Sequence, residues 1–245
     1  MKSLSTILLA SLLFSQVNSI KAAPLSAINI NRIAQTSDER EVKNFNGVAA
    51  GGPIEVIVKF GEKESLRFEG DKEAIATLVG EVKSNILIIR PQTSWTSWAK
   101  KYENKKIVAY VTAKQISSLT MSGNGNLIVN GTITATDFAT TLSGSGTIKA
   151  NVEADKITGL ISGSGTANIS GKADVASVTL SGPGNFGNKT LIVNELSARI
   201  SGKGTINITA NTKIKAFISG SGHIYYSGDA EVKETILGAG GVSKK

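Results

Sequence analysis

Few residues in this 245-residue chain could do acid–base, nucleophilic or metal chemistry: it has one histidine and no cysteine. His223 lies in the fourth position after Ser219, where equivalent segments carry Asn126, Thr147, Thr166, Asn185 and Thr205. That register makes it a member of a polar ladder, not a general base. With no thiolate and one imidazole, a zinc site would rest on carboxylates, a donor set that suits zinc poorly. Asp137, Asp155, Asp174 and Glu195 each stand 6 or 7 residues before a recurring serine, with Lys156 and Lys213 interleaved. Stacked as one column they form either a solvated row of turns or, if they converge in a groove, the calcium-dependent site of a polysaccharide-degrading enzyme. The calcium-binding Gly-Gly-x-Gly-x-Asp repeat is absent. The Gly-x-Gly units present here lack the helix and the Lys-Ser/Thr that a phosphate loop requires. No catalytic residue, metal ligand or cofactor is expected.

Binding chemistry is concentrated elsewhere. Both tryptophans of the protein fall in the stretch Ser94-Trp95-Thr96-Ser97-Trp98-Ala99-Lys100-Lys101-Tyr102, and Lys105 and Lys106 follow. This stretch reads as a projecting hairpin or loop between two strands. Its indoles could stack on sugar faces or sit at a membrane interface beside the lysines; alternatively they fold back and cover the end of the domain. Trp95, Trp98, Lys100, Lys101 and Tyr102 are the candidate ligand-binding residues. Rows of Ser, Thr and Asn offer a second, flat polar surface.

The elements that position these residues follow from a repeat. An aliphatic residue, then Ser-Gly-x-Gly, recurs with its serine and first glycine at Ser122-Gly123, Ser143-Gly144, Ser162-Gly163, Ser181-Gly182, Ser201-Gly202 and Ser219-Gly220. A degenerate seventh copy is Leu237-Gly238-Ala239-Gly240. Successive copies start 21, 19, 19, 20, 18 and 19 residues apart, a period that marks stacked supersecondary units. Apolar residues alternate with polar ones on both sides of each glycine corner, which reads as strand, tight turn, strand. One such unit cannot bury its apolar edge alone, whereas stacking at the ~4.8 Å spacing of paired strands buries a continuous core. The expected fold is all-β: a right-handed parallel β-helix, a single-stranded solenoid with rungs of about 19 residues.

Upstream, residues 40–112 read as irregular first strands that cap the open end of the helix, with residues 113–245 forming the repeats. Strands are expected over 42–49, 54–60, 65–69, 86–90 (stopped by Pro91) and 107–112. Asp71 is expected to cap a short helix with Ile75 and Leu78 turned inward.

The Ser-Gly-Ser-Gly corners at 143–146, 162–165 and 219–222, the ending Ile224-Tyr225-Tyr226-Ser227-Gly228-Asp229 and the opening Arg40-Glu41-Val42-Lys43-Asn44-Phe45 resemble the bacterial head GIN domain family. Its members are described as auto-transporter adhesins. The resemblance covers roughly residues 40–242 and implies an extracytoplasmic β-helical domain.

Lys2, the apolar run from Leu4 to Phe14 and the small residues to Ala22-Ala23 form a secretory signal peptide over residues 1–22, with an apolar segment too short to span a membrane. Residues 23–39 then form a tether or loose first strand. The chain carries 27 basic and 19 acidic residues; cleavage after Ala22 removes Lys2 and Lys21 and leaves 25 against 19, a net +6. This charge is spread along the chain, which suits weak attraction to anionic surfaces and not nucleic-acid binding. Lack of cysteine excludes disulfides and an N-terminal lipid anchor on Cys. A self-exporting protein needs a C-terminal membrane barrel, for which the segment after Gly241 leaves no room. The expectation is therefore an exported, non-enzymatic β-helical binding module, adhesin-like, in the periplasm or at the cell surface of a Gram-negative bacterium. Its partner would be a glycan or a surface protein. A carbohydrate-active enzyme on an anionic polysaccharide, or a purely structural envelope protein, is the alternative.

Overall fold

Two glycines shape every corner of the repeat. The first, as at Gly163, adopts φ of +114°, a conformation L side chains rarely enter. The second, as at Gly165, has ordinary φ, but a Cβ there would stand 2.6 Å from the Gly146 carbonyl oxygen of the preceding rung. One glycine turns the chain and the other lets consecutive turns approach. A computed structural model describes residues 36–102 and 105–245, and of Thr36 and Trp95 the backbone alone. The expected signal peptide and the first part of the tether lie outside the described residues.

The described chain runs β1 (Thr36–Arg40), β2 (Gly47–Gly51), β3 (Glu55–Phe60), β4 (Ser65–Gly70), α1 (Lys72–Ala76), β5 (Leu78–Lys83), β6 (Ile86–Pro91), α2 (Trp95–Lys101), β7 (Val108–Ala113) and β8 (Ser118–Gly123). The repeats follow as β9 (Asn126–Gly144), β10 (Thr147–Gly163), β11 (Thr166–Ser181), β12 (Asn185–Phe186), β13 (Leu191–Gly202), β14 (Thr205–Gly220), β15 (His223–Ser227), β16 (Glu231–Leu237) and β17 (Gly241–Lys244). From β8 onward every neighbouring pair is parallel, giving a β-solenoid of about seven turns. The recurring serines pair in one unbroken register, Ser122–Ser143–Ser162–Ser181–Ser201–Ser219. The fold is the expected all-β parallel β-helix.

Period-2 alternation along each strand sends one set of side chains inward, where they stack as columns. Met121, Leu142, Ile161, Leu180, Ile200 and Ile218 form one such column and Leu127, Ile148, Ala167, Phe186, Ile206 and Ile224 another, all 1% exposed or less. One inward column runs Leu119, Thr140, Gly159, Val178, Ala198, Ala216 and Glu234. It contains two polar residues. Thr140 is buried and its hydroxyl has no partner among the described residues. Glu234 sits on the terminal rung, exposed, because no described strand covers it. An inward-pointing charge at an open rung discourages another strand from adding there.

At the other end, β2, β3, β6 and β7 continue the parallel stacking, while β1, β4 and β5 pair antiparallel. Of the stretch read as a tether or loose strand, residues 36–39 belong to β1. Strand β2 starts at Gly47, later than expected at 42, because Asn44 turns the chain with φ of +60°. β5 had no counterpart in the sequence pattern, being half-buried along most of its length. The helix α1 is the expected one: Asp71 Oδ1 accepts from the Ala74 amide at 3.1 Å, and Ile75 and Leu78 are buried.

The Trp/Lys stretch is not a projecting hairpin or loop but the helix α2. Trp98 and Tyr102 are four residues apart and so share one helix face, with ring centroids 5.1 Å apart. The burial of that face holds the segment down.

Candidate functional site

The five residues singled out for binding divide on α2. Trp98 and Tyr102 are 4% and 8% exposed and belong to the core. Trp98 Nε1 donates to Thr77 Oγ1 at 2.8 Å, tying α2 to the end of α1. Lys100 and Lys101 are exposed in the last turn, where cations complement the helix dipole, and the Lys101 ammonium lies 5.1 Å from the Tyr102 ring centroid. Trp95 opens the helix. The two further lysines of the stretch hold structure together: Lys105 pairs with Asp71 at 2.9 Å and Lys106 with Glu55 at 3.2 Å. The bond from Lys105 and the Ala74 amide together hold the Asp71 carboxyl below the usual aspartate range. Its bond to Asp71 raises Lys105 above the ordinary lysine value.

The carboxylates do not form the single column that their spacing suggested. Offsets of 6 and 7 residues place them at two adjacent positions. Asp137 is in register with Lys156, and Glu195 with Lys213, so like charges are separated by opposite ones. Asp155 and Asp174 fall one residue earlier, at the corner, where Asn194 Nδ2 donates to Asp174 Oδ1 at 3.1 Å. Glu153 pairs with Lys172 at 3.4 Å beside them, in a shallow groove of about 750 Å³. Among the described residues no group of three or more His, Asp or Glu side chains could hold a metal ion.

His223 is in register with Thr205, at the end of the ladder Asn126–Thr147–Thr166–Asn185–Thr205. Its Nδ1 donates to the Ser221 carbonyl at 3.0 Å and its ring stacks on Tyr225 at 5.8 Å. Among the described residues no hydrogen bond joins its ring to a hydroxyl or carboxylate.

The most regular polar surface is the face that ends in the Ser-Gly corners. Five of the six register serines are exposed, Ser219 being half-buried. Two residues before them run Thr120, Thr141, Leu160, Thr179, Arg199, Phe217 and Thr235 in register, and before these Ser118, Ala139, Thr158, Ser177, Ser197, Lys215 and Lys233. The face is hydroxyl-rich over its first rungs and cationic over its last, where Arg199, Lys215 and Lys233 border a groove of about 330 Å³. The Arg199 guanidinium lies 4.9 Å over the Phe217 ring.

A deeper concavity lies at the capped end. A cleft of about 870 Å³ opens between β1–β4 and the outer face of β3 and β7. Its floor includes half-buried Ile57 and Tyr110, and its rim Lys43, Lys59 and Lys63. Arg67 lies 4.7 Å over Tyr110 and pairs with Glu69. No sequence signal pointed here: Ile57 and Tyr110 are 53 positions apart and meet only because β3 and β7 pair as rungs.

No helix among the described residues is long and apolar enough to cross a membrane. No curated protein matches the chain. Among solved structures it is similar to a "putative adhesin" from Bacteroides fragilis (TM-score 0.73, 20% identity, covering 86% of this chain and 97% of that one). A second "putative adhesin", from Parabacteroides distasonis, gives a TM-score of 0.67 at 23% identity, covering 86% and 97%. A "putative lipid binding protein" from the same species gives 0.67 at 20% identity, covering 86% and 96%. At these identities the likeness is one of fold. Residues 44–230 match the family described as "Putative auto-transporter adhesin, head GIN domain", so the chain belongs to the head GIN domain family.

Proposed function

We propose that the protein is an exported, non-enzymatic binding module that contacts a glycan or protein component of the bacterial surface, in the periplasm or outside the cell. The observation that carries this reading is the hydroxyl-rich solenoid face. Its columns repeat at the ~4.8 Å spacing of paired strands and present donors and acceptors in a fixed lattice. A preordered polar lattice binds with little entropic loss on its own side. The adhesin description of the family fits this role. The carboxylates fit this reading too: Asp137 and Glu195 stand in register with lysines, Glu153 pairs with Lys172, and Asp174 accepts from Asn194. Lys100 and Lys101, exposed in the last turn of α2, provide a second contact zone.

The test is adhesion of the purified protein to outer-membrane preparations and to a glycan array, beside a Thr141→Arg/Thr179→Arg variant that places bulky cations on the hydroxyl face. Binding lost in this variant supports the reading. Binding unchanged there but lost in Lys100→Glu/Lys101→Glu transfers the contact to α2. Absence of binding to either preparation refutes the module reading.

A further inference from the structure

We infer that the cleft at the capped end is a subsite for an acidic saccharide, with Lys59 and Lys63 receiving its carboxylate and the Ile57–Tyr110 floor receiving the ring. The inference rests on the binding-module reading above and gives it a ligand class and a place.

Concavity is the first argument. At about 870 Å³ the cleft has the size of a small-ligand site, and it is more enclosed than the shallow grooves of the solenoid faces. Its wall is fixed: Glu64 accepts from the Asn44 amide at 2.8 Å and the Phe45 amide at 3.3 Å, clamping the loop after β1 to the turn before β4. Such a clamp preorganises the opening before any ligand arrives.

Charge is the second. Five cationic and three anionic residues line the cleft, 5 − 3 = +2. Most are already satisfied. Arg40 is held by Asp38 and by the carbonyls of Ile75 and Leu78; Lys43 pairs with Glu41; Arg67 pairs with Glu69. Lys59 and Lys63 are exposed and make no ion pair among the described residues. Both lie on the rim, Lys59 in β3 and Lys63 in the turn before β4, and in the proposed complex one carboxylate meets both ammonium groups. Two carboxylates lining the cleft compete for them: Glu39 on β1, across the cleft, and exposed Glu41, which pairs with Lys43 and also feels the Lys63 charge.

The floor provides the third. Ile57 and Tyr110 are outward residues of paired rungs, giving an apolar strip beside the hydroxyls of Thr112 and Ser65, which bond each other at 3.1 Å. The Arg67 guanidinium already lies 4.7 Å over the Tyr110 ring, so a pyranose ring sets its C–H face on Ile57 and the uncovered part of half-buried Tyr110, with its hydroxyls at the strip's edge. Both oxygens of Glu64 accept backbone amides, so that carboxylate is committed to the wall.

Titration calorimetry of the purified full chain with hexagalacturonate, and with its fully methyl-esterified neutral counterpart, tests this. The expected result is salt-dependent binding of the acid at least tenfold tighter than of the ester. The Lys59→Gln/Lys63→Gln variant should lose at least tenfold of that affinity, with near-ultraviolet circular dichroism unchanged, and a Lys72→Gln/Lys189→Gln variant, at exposed lysines away from the cleft, should lose none. Equal affinity for acid and ester, an unaffected double variant, or no binding by the parent chain overturns the proposal. Adhesion that persists while the acid fails to bind would sink the subsite alone; acid binding without any adhesion would sink the module reading alone.

Discussion

The indole nitrogen of Trp98 donates to the hydroxyl of Thr77 at 2.8 Å, and that same hydroxyl donates to the Ala74 carbonyl at 2.7 Å. Thr77 thus closes α1 and receives α2 through one oxygen. Trp98→Ala removes a buried indole together with this link and is expected to cost about 3–5 kcal/mol. Thr77→Val leaves the indole N–H without its partner and should cost about 1–3 kcal/mol. Urea unfolding measures both; a Trp98→Ala protein as stable as the parent would show that α2 does not contribute to the core.

The corner glycines differ from other glycines in a way substitution can expose. A Cβ on Gly163 would lie 2.5 Å from the Gly144 carbonyl oxygen at a φ of +114°, whereas on Gly241 its nearest neighbour is a His223 ring carbon at 3.8 Å. Gly163→Ala should therefore lose about 2–4 kcal/mol, and Gly241→Ala stay within about 0.5 kcal/mol. Equal melting shifts in the two variants would contradict the corner geometry.

Thr140 occupies an inward column whose neighbours in register are Leu119 and Gly159, and its hydroxyl is unpaired. Thr140→Val keeps the shape and removes the unsatisfied group. Stability should rise by about 1 kcal/mol, read as a higher urea midpoint with unchanged slope. A fall would mean that the hydroxyl is bonded in solution.

Asp71 and Lys105 make the pH dependence of the cap predictable in sign. Because the folded-state carboxyl sits below its ordinary value, its contribution is present at neutral pH. It is lost as pH falls through the depressed pKa, below the usual aspartate range. The raised Lys105 contributes below the ordinary lysine value and loses its part as pH rises through the higher folded pKa. Asp71→Asn should destabilise the protein at pH 7 and matter less in strong acid. A stability difference between parent and variant that does not shrink on acidification would argue against the pairing.

Glu234 should control association at the terminal rung. Replacing it by valine completes an apolar inward column beside partly buried Val232 and Ile236. Glu234→Val is expected to shift the protein toward concentration-dependent oligomers in sedimentation velocity, while the parent does not shift. Identical sedimentation of both would remove the protective role assigned to this charge.

The repeat was legible because it is local. The Ser-Gly-x-Gly spacing, the apolar alternation and the two demands on glycine at each corner are properties of consecutive residues, and they dictated the rungs, the serine register and the ladder that ends at His223. The Asp71 cap is local in the same way. Where a reading failed, local information was incomplete. The Trp98/Tyr102 spacing of four is a single helical turn, too brief by itself to separate helix from loop, and the two offsets of the carboxylates meant two positions instead of one column. The cleft lay beyond such reasoning altogether. Its rim, floor and wall come from β1, β3, β4 and β7, and antiparallel pairing of β4 onto a parallel rung decides that Lys59, Lys63 and Tyr110 share one concavity. Sequence by itself determined the solenoid, since each rung repeats its neighbour's packing problem. Only the tertiary structure decided which charges remain unpaired, because pairing depends on distances between segments that no repeat encodes.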